Sequence, residues 1–121
     1  AAFGLALDGN NLFVSDFGST DSVWKYNATT GALIGAGAFV TTGQGPTGMD
    51  VYNGTLYVAN YSGRNVTTYN AASGAPIGTP LLSFTDYASD VLIIPEPSTL
   101  TMAFLGAVGL LFLGKRRAVR V

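Results

Sequence analysis

Short apolar runs alternate with polar turns over the first three-quarters of the chain, and one unbroken apolar run lies near its end. In residues 4–8, 11–15 and 22–26 the large apolar side chains fall mostly at every second position, the period of a strand with two faces. Gly9-Asn10, Gly18-Ser19-Thr20-Asp21 and residues 27–31 punctuate these runs with turn-forming residues. The pattern predicts three strands there and a fourth, broken by glycines, over about residues 32–40. It predicts a second set at 49–52, 55–59 and 65–69, with a weaker strand around 77–84. Asn53-Gly54 is a strong hairpin signal, because both residues tolerate positive φ.

The two sets are copies of one unit. Leu12 and Val14 match Leu56 and Val58 at a spacing of 44. Tyr26, Asn27, Gly31, Ile34 and Gly35 match Tyr69, Asn70, Gly74, Ile77 and Gly78 at 43. One residue is lost where Gly18-Ser19-Thr20-Asp21 faces Ser62-Gly63-Arg64. A period near 43 built only of strand signals predicts four-stranded propeller blades, at about 3–40 and 48–84. Leu5, Leu7, Leu12, Val14, Val51, Leu56 and Val58 form one apolar set. Period-two counting puts Phe13, Trp24, Tyr26, Tyr57 and Tyr69 on the alternate face. Apolar character on both faces fits a sheet sandwiched between neighbours. A lone strand over 88–94, some 42 residues after the start of the second copy, is either the innermost strand of a third blade or an edge strand leading into a linker. Propellers close with about four to eight blades, so two blades leave apolar flanks that predict association and a longer parent chain.

The closing apolar run, residues 100–114, carries no charge and one hydroxyl, that of Thr101. With Ser98 and Thr99 it makes about 25 Å of helix, at the short end for a bilayer core of roughly 30 Å. Pro97 suits a first helical turn, and Pro95 keeps Ile94 extended, so the helix is predicted over about 98–116. Lys115, Arg116, Arg117 and Arg120 follow; they hold the end on the cytoplasmic side and place everything before Pro95 outside. The competing reading is a core helix, which in so small a body would rarely lack a polar face.

Charge and composition narrow the chemistry. The formal net charge is −1, but four of the six basic residues lie in the last seven positions, leaving residues 1–97 at −5. An acidic body without a basic stripe excludes nucleic acid as a partner. There is no Cys and no His, which removes disulfides, thiolate metal sites and Ser-His-Asp or Cys-His catalysis. Gly43-Gln44-Gly45 lacks the Lys and helix of a phosphate loop. Asn27-Ala28-Thr29, Asn53-Gly54-Thr55 and Asn65-Val66-Thr67 match the N-glycosylation pattern by chance in an Asn- and Thr-rich surface. Asp16 and Asn60 end equivalent strands and read as turn caps bonding to backbone; Phe17 and Tyr61 beside them could line a ligand surface. No catalytic residue, metal site or cofactor is expected within the chain.

Two resemblances follow from these residues. Pro95-Glu96-Pro97-Ser98, an apolar helix and terminal basic residues resemble the PEP-CTERM sorting signal of bacterial surface proteins. That resemblance implies export, transient insertion in the bacterial inner membrane and processing by an exosortase-type membrane protease-transpeptidase. The body resembles NHL- and YncE-like propellers through its Gly-hydrophobic-Ala-hydrophobic-Asp strand, its Leu-Phe-Val-Ser-Asp strand and its Tyr-Asn before a Gly turn. In lactonase-like propellers positions such as Asp16 and Asn60 bind a cation beside a Glu, but the one Glu here, Glu96, belongs to the sorting motif. The expected organisation is mainly β: a propeller fragment at 1–92, then a sorting signal at 93–121 with its motif at 95–97, one transmembrane helix and a basic tail at 115–120. The chain starts at Ala1 without a secretory leader, so it is expected to be the C-terminal part of a longer exported protein. The function expected is a non-enzymatic surface or matrix protein whose propeller binds or spaces, with extracellular polysaccharide as a partner class. The alternatives are a secreted lactonase- or lyase-like propeller enzyme with its catalytic residues in further blades, and a plain membrane anchor never processed.

Overall fold

In the computed structural model the described residues are 1–94, 110–113 and 116–120. Turn chemistry sets the first sheet: β1 (Ala2–Asp8), β2 (Asn11–Asp16), β3 (Ser22–Asn27) and β4 (Val40–Thr41) pair antiparallel in that order. The second repeats it with β5 (Pro46–Tyr52), β6 (Thr55–Asn60), β7 (Asn65–Asn70) and β8 (Leu82–Ser83). These are two four-stranded antiparallel sheets of the propeller-blade kind, and among residues 1–94 there is no helix. Asn53 and Gly54 both have positive φ, 49° and 78°, as their hairpin demands. The turn after β3 is capped by Asn27, whose Oδ1 accepts from the amides of Thr29 and Thr30. Asn70 does the same for Ala72 and Ser73 after β7.

The fourth strands are shorter than the pattern predicts. Only Val40–Thr41 and Leu82–Ser83 ladder fully, with single bridges at Tyr26–Leu33 and Tyr69–Pro76. Gly31 and Gly35, with φ of 75° and 98°, turn the chain away in the first copy. Pro76 and Pro80, which lack an N–H, thin the ladder in the second.

The assignment of faces is corrected by the register. Leu12 lies opposite Tyr26, and Val14 opposite Trp24, so these four side chains share one face. Leu56 and Tyr69 are paired in the same way. Of the aromatic residues expected on the alternate face, Phe13 and Tyr57 are there, while Trp24, Tyr26 and Tyr69 are not. Period two holds along one strand, but the turn between strands sets how their faces correspond.

The sheets pack face to face. Ala6, Phe13 and Val23, with Val40, form one buried cluster with Met49, Leu56, Val58, Tyr69 and Ala71 of the second sheet. Lys25 is buried in this seam: its Nζ donates to the Ala71 carbonyl at 3.2 Å and lies 4.8 Å from the centre of the Phe39 ring. The lone strand is β9 (Asp90–Ile94), and it lies against the second sheet. Val91, Ile93 and Ala88 pack on Ala59 and Val66 of the second sheet.

Beyond β9 the described backbone comprises β10 (Leu110–Leu113) and β11 (Arg116–Arg120), with β11 parallel to β9 and antiparallel to β10. The helix expected over 98–116 falls mostly on residues outside those described, and the extended residues of β10 and β11 neither show nor exclude it. Among the described residues no helix is long and apolar enough to cross a membrane.

Candidate functional site

The exit from the body to the tail is built by β9. Gly48 lets β9 approach, because a Cβ there would collide with Asp90. The Gly48 amide donates to the Ser89 carbonyl at 3.1 Å, and two residues on the Ile93 amide donates to Asp50 Oδ2 at 2.7 Å. Both contacts advance in the same sense, so β9 runs alongside β5 in parallel. With Val91 and Ile93 buried, the chain is fixed to the body through Ile93, two residues short of Pro95. Pro95, Glu96, Pro97, Ser98 and Lys115 lie outside the described residues, while Arg116, Arg117 and Arg120 are on β11.

The opposite end of the sheets carries the loops after β2 and β6. Asp16 ends β2, but it does not cap backbone as expected. Its carboxylate accepts from the Ala1 ammonium at 2.6 Å and from the hydroxyls of Ser19 and Thr20. The ammonium first, then these hydroxyls, holds its pKa down at about 2. Asn60, fully buried, donates through Nδ2 to Asn65 Oδ1 and Thr67 Oγ1, both at 2.9 Å. Its own Oδ1 is buried without a hydrogen-bond partner.

Phe17 and Tyr61 occupy equivalent places just after these strands and belong to a row of rings. Phe3 meets Phe17 edge-on at 5.2 Å, Phe17 meets Tyr61 at 6.0 Å, and Tyr61 stacks flat on Tyr87 at 4.3 Å. Arg64 lies 4.9 Å from the Tyr87 ring centre. These rings chiefly staple one unit to the next across the loop end. An apolar cleft of about 360 Å³ remains between Phe3, Phe17, Thr47 and Tyr61. Sequence reasoning named Phe17 and Tyr61 but missed Tyr87 and Arg64; their only signal was position, next to the predicted lone strand and in the shortened turn. Among the described residues no group of three His, Cys, Asp or Glu could hold a metal ion.

Residues 94–117 match the PEP-CTERM protein-sorting motif, so the match begins one residue after the last anchored position of β9. No curated protein matches the chain. Among solved structures it is similar to a luciferin-regenerating enzyme, at 19% identity and a TM-score of 0.62 over 75% of this chain and 33% of that one. It is similar to a gluconolactonase from Xanthomonas campestris, at 24% identity and 0.60 over 74% of this chain and 30% of that one. It is also similar to the PQQ-bound aldose sugar dehydrogenase from Streptomyces coelicolor, at 18% identity and 0.51 over 74% and 33%. The chain therefore spans about a third of the length of each, and at these identities the likeness is one of fold. Together these observations define the chain as propeller-like sheets that lead without a linker into a PEP-CTERM sorting motif.

Proposed function

We propose that this is an exported bacterial protein delivered to the cell surface or matrix by exosortase-type processing. The observation that carries the reading is the sorting motif at 94–117, beginning where β9 leaves the body. In a bilayer the run from about Ser98 to Arg116 becomes a helix, because only a helix satisfies its backbone there without partners. Lys115, Arg116, Arg117 and Arg120 hold its end in the cytoplasm. Pro95-Glu96-Pro97-Ser98 then lies at the outer interface as an extended segment open to a membrane protease-transpeptidase. The exit end of the sheets faces the membrane, and the loops bearing Phe17, Tyr61 and Arg64 point away. On this reading the sheets serve as a binding or spacing module, with extracellular polysaccharide as the partner class. Replacing Pro95-Glu96-Pro97 by three alanines should leave membrane insertion intact and block processing. The mass of the C-terminal peptide, compared in cells with and without the exosortase, reads this out. The same uncleaved tail in both strains would leave a plain membrane anchor instead.

The second reading is a propeller enzyme with catalytic residues in further blades. The fold likeness to a gluconolactonase and a sugar dehydrogenase supports it. Hydrolysis of sugar lactones by the purified exported protein, in proportion to its amount, would favour this reading over the binding module.

A further inference from the structure

Asp50 has no polar counterpart in the first sheet. Ala6 of β1 stands opposite Phe13, and Asp50 of β5 stands opposite the equivalent Tyr57, so Ala6 and Asp50 occupy the same place in the two copies. The close approach of neighbouring strands belongs to the repeat: a Cβ on Gly4 would meet the Thr47 carbonyl, as one on Gly48 would meet Asp90. The carboxylate is particular to the second copy. Its Oδ1 accepts from the Val51 amide of its own strand at 2.8 Å, and its Oδ2 reaches across to the Ile93 amide of β9 at 2.7 Å. The methyl group of Ala6 can hold no neighbouring amide in this way. The clamp therefore grips the strand that leads into the tail. That strand ends at the sorting motif: the Ile93 amide lies two residues before Pro95, about 7 Å of extended chain. Val91 and Ile93 are 2% and 6% exposed, and the Gly48 amide holds the Ser89 carbonyl.

We infer that Asp50 gates the processing of this chain: the exosortase-type enzyme engages the motif only after β9 has come off the second sheet, and the clamp sets how often that happens. The inference rests on the sorting reading proposed above and adds its regulation. An enzyme that cuts a peptide takes it as an extended strand and bonds to its backbone on both sides of the cut. Upstream of Pro95 that backbone is β9, which the docked state turns to the body. Cutting breaks one peptide bond near the motif. The carbonyl carbon gains a bond to water or to an acceptor amine, and the nitrogen of the departing tail takes up a proton. Asp50 has no part in that chemistry; it is a positioning residue that acts through the Ile93 amide. Where opening and closing are fast beside cutting, the rate follows the population of the open strand. A body with β9 docked is thereby held at the membrane longer than one with β9 loose.

The test places the full chain in liposomes with the exosortase and follows release of the C-terminal peptide by mass over time. Asp50→Ala removes the acceptor and should raise the initial rate about tenfold. A short flexible glycine-serine spacer between Ile94 and Pro95 supplies free backbone without opening β9, and should raise the rate at least as much. Asp50→Ala combined with the spacer should be no faster than the spacer alone. Asp50→Asn keeps one acceptor oxygen and should fall between the native chain and Asp50→Ala. Equal rates for the native chain, Asp50→Ala and the spaced chain would overturn the gate and leave the sorting reading standing. An Asp50→Ala effect of the same size with and without the spacer would also overturn it, because the residue would then act through general stability. Release from none of the chains would remove the sorting reading, and the gate with it. The spaced chain keeps the native body, so its rate decides the question even where Asp50→Ala does not fold.

Discussion

At the scale of single residues, close approaches and one buried charge hold the units together. Gly48→Ala would force Asp90 aside at the root of β9. It should cost about 1–3 kcal/mol, measured as a lower midpoint in denaturant with an unchanged slope. Lys25 combines a long apolar stem with a single carbonyl acceptor in the seam. Lys25→Met keeps the stem and removes the charge, so stability should change by less than about 1.5 kcal/mol, whereas Lys25→Ala also loses contact with Phe39 and should cost more.

At the scale of elements, β9 decides how the tail is presented. Two of its side chains are buried, its root passes over a glycine, and its Ile93 amide is held by Asp50. Asp50→Ala leaves that amide without its acceptor. Hydrogen exchange at Ile93 should then accelerate, while amides in the β2–β3 ladder stay protected. If the Ile93 amide stayed equally protected, the anchor would reside in the apolar contacts alone. A tighter β9 keeps the sorting motif close to the body, so Asp50→Ala should also lengthen the protease-sensitive segment around Pro95, read by limited proteolysis and mass.

At the scale of the whole molecule, the repeat makes a stack of seams. The first seam joins the Phe13 and Val23 face of one sheet to the Leu56 and Tyr69 face of the next, a second seats Val91 and Ile93 on Ala59 and Val66, and rings staple the loop end. Neighbouring units in such a stack stabilise one another. Tyr61→Ala removes the flat contact with Tyr87 and leaves the two seams intact. Aromatic pairs contribute about 0.5–1.5 kcal/mol beyond area, so the loss should be of that order plus the ring's burial, and it should fall on β9 before β1. Residue-resolved exchange would distinguish that from uniform loosening.

The sequence by itself determined what is written within a few neighbouring residues. Alternation placed the strands, Asn27, Asn70 and Asn53-Gly54 placed the turns, and the spacing of 43 to 44 exposed the repeat. The Pro-Glu-Pro motif, apolar run and basic end were equally legible, because a sorting signal is read as a contiguous address. What the tertiary structure decided depends on residues far apart in the chain. The register of β2 on β3 moved Trp24 and Tyr26 to the leucine face, since a turn sets how two strands share their sides. Lys25, an ordinary surface residue by its chemistry, became a seam residue because Phe39 and Ala71 meet it from 14 and 46 positions away. The place of the lone strand beside β5 was fixed only by the contacts of Gly48 and Asp50 with Ser89 and Ile93. Local patterns encode which segments become strands; only packing fixes which of their faces are buried and against what.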